Sequence, residues 1–87
     1  MTEQEFINNI LENKDSAEII IETKDGEEYK IVAGQLLYIN GQDNIDIYTF
    51  SSKKGNIYET DLKVLAWKVY FYLTIELDKE IVFVYGG

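Results

Sequence analysis

The 87-residue chain has no cysteine, no histidine, no proline and no arginine. Without cysteine there is neither a disulfide framework nor a thiolate nucleophile, which suits a reducing compartment. Without histidine the commonest general base and the commonest metal ligand are missing. Without arginine the side chain best suited to bidentate contacts with phosphate and guanine is missing too. All eight cationic side chains are lysines, set against sixteen carboxylates, for a formal charge of −8. Such a field repels phosphate backbones, so direct nucleic-acid binding is disfavoured and a basic protein partner is favoured. Acidity that serves only solubility is an equally open reading. The N-terminus lacks a charged-then-apolar signal pattern and no apolar run approaches bilayer length, so the expected location is cytoplasmic, away from membranes.

What is present is enough for a core. Apolar residues make up 46% of the chain and aromatics 14%. The length predicts one domain, 1–87, burying only about two-thirds of its unfolded surface, so the stability margin is thin.

Thr2 and Glu5 have capping-box spacing, and Phe6, Ile7, Ile10 and Leu11 form one apolar stripe, predicting an amphipathic helix over 3–13. Strands are expected near 17–24, 27–34, 36–40, 45–50, 56–60, 66–77 and 81–85. Asp25-Gly26 is the clearest hairpin turn. Gly34 reads as a bulge or bend inside a strand pattern. Ile45 and Ile47 alternate against Asp46, Tyr48 and Phe50. Thr60 or Asp61 could cap a single helical turn.

Trp67 to Leu77 carries the strongest pattern. Its odd positions are all apolar, and its even positions, Lys68, Tyr70, Tyr72, Thr74 and Glu76, all bear polar groups. A period of two predicts a long strand, pairing as a hairpin with 81–85. A three-residue loop would turn Phe83 and Tyr85 to the core. A two-residue loop would turn them outward, and burial favours the first. The expected core is Ile19, Ile21, Ile31, Ile47, Trp67, Val69, Phe71, Leu73 and Ile75. The expected fold is α+β or mainly β: an N-terminal helix, then a strongly bent antiparallel sheet or small open barrel of five to seven strands.

Gly34-Gln35-Leu36, Asn40, Asn44, Ile45 and Ile47 are spaced as in the first motif of the Sm-like (Lsm) family, which the chain resembles in element order over residues 2–70. The resemblance implies a small, strongly bent barrel. Asn40 stands where that family has aspartate, and Gln42 where an aromatic stacks on a base. The arginine-glycine pair of the second motif is absent. The RNA-binding role is therefore not carried over, and turn chemistry accounts for Asn40 and Asn44.

No catalytic constellation is visible. Carboxylate pairs are inevitable at this acidity, and Asp43, Asn44 and Asp46 lack the order of a calcium loop. The chain is expected to be no enzyme and to use no cofactor. The remaining signal is seven tyrosines on an acidic background. Tyrosine is amphipathic and enriched at interfaces, although for any single ring, covering the edge of a small core is the reading that wins. Tyr70, Tyr72, Glu76, Tyr48, Asp43 and Asp46 are the candidate partner-binding residues, with Tyr70 and Tyr72 expected to point away from the core. The profile suits a small inhibitor or immunity-type protein, akin to phage anti-defence proteins. It would bind a basic nucleic-acid-handling enzyme such as a nuclease, its acids and rings imitating nucleic acid. The alternative is an assembly module forming a homo-oligomer through a sheet edge such as Ile81 to Tyr85.

Overall fold

The structure, a computed structural model, describes residues 1–36 and 45–87. Thr2 opens helix α1 (Glu3–Glu12) through a reciprocal cap: Glu5 N–H donates to Thr2 Oγ1 at 3.2 Å, and Thr2 N–H donates to Glu5 Oε1 at 3.0 Å. The bonds from Thr2, backbone first, hold the Glu5 carboxyl below its usual pKa. Phe6, Ile7 and Ile10 are buried, as the apolar stripe predicts.

Among the described residues five antiparallel strands follow that helix: β1 (Glu18–Thr23), β2 (Glu28–Leu36), β3 (Ile45–Ser52), β4 (Gly55–Glu59) and, after a second helix, β5 (Ile81–Gly86). Their order across the sheet is β4-β3-β2-β1-β5, so the sheet is open and β4 and β5 are its edges. The fold is α+β, with an N-terminal helix and an unclosed sheet. The β1–β2 hairpin turns at Asp25-Gly26, where Gly26 takes a φ of +87°. Gly34 makes no bulge; it pairs in register with Ile47, and β2 runs straight through it. The irregularity lies instead between Glu22 and Thr23, opposite β5. The expected strand at 36–40 falls outside the described residues beyond Leu36.

The main correction concerns 66–77. Asp61, in extended conformation, accepts from Lys63 N–H at 2.9 Å and Val64 N–H at 3.4 Å, and so opens helix α2 (Leu62–Phe71). A π-helical turn, Tyr72–Glu76, continues it, with Leu77 N–H donating to Tyr72 O at 3.0 Å. The expected hairpin with 81–85 is absent, and β5 pairs with β1. The alternation is real but not a strand's: Tyr70 and Tyr72 count as polar yet pack their rings against Phe6 and Phe50, and Thr74 turns its hydroxyl back to Tyr70 O at 2.7 Å. Leu62, Leu65, Ala66, Val69 and Leu73 form the helical stripe that is buried.

Both helices pack on one face of the sheet. There Phe6, Ile10, Leu65, Val69 and Leu73 meet Ile19, Ile21, Ile31, Phe50 and Ile81. Ile19, Ile21, Ile31, Val69 and Leu73 are buried as expected, but Ile47 and Phe71 are half-buried, and Trp67 and Ile75 are exposed. Trp67, Phe71 and Ile75 leave the core because a helix turns them to another side than Val69 and Leu73. Ile47 leaves it because β3 turns its Tyr48–Phe50 side inward. Phe50 stacks 5.8 Å from Tyr29 and takes Tyr72 edge-on at 5.9 Å, and burying that ring removes more apolar area than burying Ile47.

Candidate interaction surfaces

The sheet has a second face, which no helix among the described residues covers. Alternation along each paired strand builds it in rows: Tyr58, Thr49 and Val32 in one, Lys30, Ile20 and Tyr85 in the next, Glu28, Glu22 and Phe83 in a third. Phe83 is 61% exposed and Tyr58 57%, with Val32, Leu36 and Tyr85 also exposed. Large apolar side chains grouped on one open face mark interaction surfaces, where scattered ones do not. The acids of this face are partly preorganised. Tyr85 donates its hydroxyl to Glu22 Oε1 at 2.8 Å, and that bond pushes the phenol pKa up. Lys30 reaches Glu18 at 3.7 Å. Among the described residues paired between β1 and β2, three carboxylates on this face, Glu18, Glu22 and Glu28, stand against one cation, Lys30.

A groove of about 530 Å³ lies on the helical side, between edge strand β4 and α2. Asn56 and Ile57 form one wall, and Trp67, Phe71, Tyr72 and Glu76 the other. Trp67 packs edge-on to Phe71 at 4.7 Å and donates its indole N–H to Glu3 Oε1 at 3.2 Å. Val64, Trp67, Phe71 and Ile75 recur at spacings of three and four, so α2 and the π turn carry a second apolar stripe outside the core. Val64, Trp67 and Ile75 of that stripe are exposed. At the far end of β4, Lys68 pairs with Glu59.

The candidate residues scatter over these surfaces. Tyr70 does not point away from the core: it is half-buried beneath α1, 5.8 Å from Phe6. Tyr72 is half-buried against Phe50, its hydroxyl 3.2 Å from Ser52 Oγ. The outward expectation for both rings rested on the strand that is a helix. Glu76 is exposed and shares the groove with Tyr72. Tyr48 is half-buried on the helical side, opposite Glu59. Asp46 is exposed and accepts from Gln35 Nε2 at 3.3 Å. Asp43, with Asn40 and Asn44, lies outside the described residues. Sequence reasoning missed Val32, Leu36, Tyr58, Phe83 and Tyr85 as a group. The available signal was a β5 apolar on both faces, which a one-sided sheet cannot bury.

Among the described residues no group of three or more carboxylates could hold a metal ion, and no helix is long and apolar enough to cross a membrane. No protein-family model, curated protein or solved structure matches the chain.

Proposed function

We propose that this protein is a small acidic protein-binding module, not an enzyme, that docks the open face of its sheet on a basic partner. The observation that carries this reading is the uncovered face itself. Tyr58, Phe83 and Tyr85 on the edge strands and Val32 on β2 supply apolar and aromatic area, and Glu18, Glu22 and Glu28 on the inner strands supply negative charge between the two edges. Tyrosine and phenylalanine exposed beside charged groups are characteristic of protein interfaces. The chain's −8 charge would steer a cationic partner toward it. A partner that handles nucleic acid already carries such a cationic site, so occupancy by this face would inhibit it.

The test is an amide NMR titration with a lysine-rich peptide bearing one tryptophan, at low and at physiological salt. Shifts should cluster on Glu18, Ile20, Glu22, Phe83 and Tyr85 and weaken with salt. Joint Phe83→Ala and Tyr85→Ala substitution should weaken binding by about 2 kcal/mol or more if the rings are anchors. Shifts confined to the helical side, or affinity indifferent to salt, would overturn the proposal.

A further inference from the structure

We infer that β4 is also a self-association edge: two copies pair antiparallel through it about a two-fold axis at Ile57, joining their sheets into one. This stands apart from the open-face reading, since it uses the sheet's edge and the opposite side.

An edge strand presents unpaired backbone N–H and C=O groups that another strand can satisfy. Proteins blunt such edges with proline, inward charge or a covering element. β4 has no proline, and only Glu59, paired with Lys68, points a charge to the helical side.

The choice of occupant comes from charge. Reading 53–61, the order is Lys, Lys, Gly, Asn, Ile, Tyr, Glu, Thr, Asp. Cations stand at one end, anions at the other, and Ile57 at the centre. Antiparallel pairing of β4 with itself sets Gly55 opposite Glu59 and Asn56 opposite Tyr58, and brings the turn lysines of one copy, Lys53 and Lys54, to the acidic end of the other, Glu59 to Asp61. Opposite charges across strands favour that pairing, whereas a parallel arrangement stacks like on like. A two-fold contact must be self-complementary in this way, residue i on j and j on i. Both lysines are exposed on the turn, and neither forms an ion pair among the described residues.

The same operation accounts for the second stripe on α2. Trp67 and Phe71 wall the groove beside β4, so a strand seated on that edge brings the partner copy's Ile57, Trp67 and Phe71 over them. The exposed aromatic area is then covered from both sides.

Sedimentation velocity from about 1 µM to about 1 mM, where weak small-interface dissociation constants fall, tests the inference. The parent should pass from its 10.1 kDa protomer to a species of about twice that mass. Lys53→Glu, on an exposed turn, and Trp67→Ala should each weaken association about tenfold or more, the equivalent of about 1.4 kcal/mol. Circular dichroism on both variants checks that the fold is intact. A parent that stays monomeric throughout overturns the inference. So does a dimer that ignores both substitutions but is lost in Phe83→Ala, which would place self-association on the open face.

Discussion

Leu73→Ala and Ile75→Ala together separate a helix from a strand at the centre of this chain. In a strand the two side chains share one face and their losses should match. In the helix they part: Leu73 is 0% exposed and Ile75 is 66% exposed. Truncating Leu73 removes three carbons, worth roughly 2.4 kcal/mol at about 0.8 kcal/mol each, and leaves a cavity among Phe6, Leu65 and their neighbours. The expected loss is about 3 kcal/mol, within the range of roughly 2–5 for buried leucines. For 87 residues at about 0.05–0.15 kcal/mol each, total stability is on the order of 4–13 kcal/mol, so that loss is a large fraction. Truncating Ile75 should move stability by no more than about 0.5 kcal/mol, because little area is lost and alanine favours the helix. Urea unfolding followed by circular dichroism measures both, with unchanged slope confirming that the midpoints report stability. In a thermal scan Leu73→Ala should fall by roughly 12–24 °C, at about 4–8 °C per kcal/mol. Equal losses for the two variants would refute the helical account.

Asp61→Ala removes the acceptor for two N-terminal N–H groups of α2 and should cost about 1 kcal/mol, while Asp61→Asn should retain most of it; an unchanged urea midpoint for the alanine variant would show that the cap is idle. Lys79 donates to Asp25 at 2.8 Å, and this bond, followed by one from the Thr23 hydroxyl, pulls the Asp25 pKa to about 2; the same Asp25 bond, followed by the Tyr29 hydroxyl, raises the pKa of Lys79. Because the folded value lies below the unfolded one, the contribution is complete above about pH 4 and is lost as pH falls through about 2. A carboxyl NMR titration should place Asp25 near 2 in the parent and closer to its ordinary 3.8 in Lys79→Met; identical titrations would rule out the pair as the cause.

Local chemistry settled part of this structure before any packing. Thr2 with Glu5, the Phe6-Ile7-Ile10 stripe, Asp25-Gly26 and the short alternating strands each act within a few residues, so their signals are complete in sequence. They were enough for the helix, the β1–β2 and β3–β4 hairpins and the α+β class. Trp67 to Leu77 was not decided locally, because tyrosine and threonine satisfy both a strand pattern and a helix packed on two sides. The cap at Asp61 started a helix there, and burial of Leu65, Val69 and Leu73 against Phe6 and Phe50 selected it. That choice freed β5 to pair with β1 and turned Phe83 and Tyr85 outward, against the register that burial alone favoured. The sidedness of β3 was likewise a contest between Phe50 and Ile47 for one core, settled only by Tyr29 and Tyr72 on either side. Which rings remain for a partner depends on which rings the core consumes, and that is a property of the assembled fold.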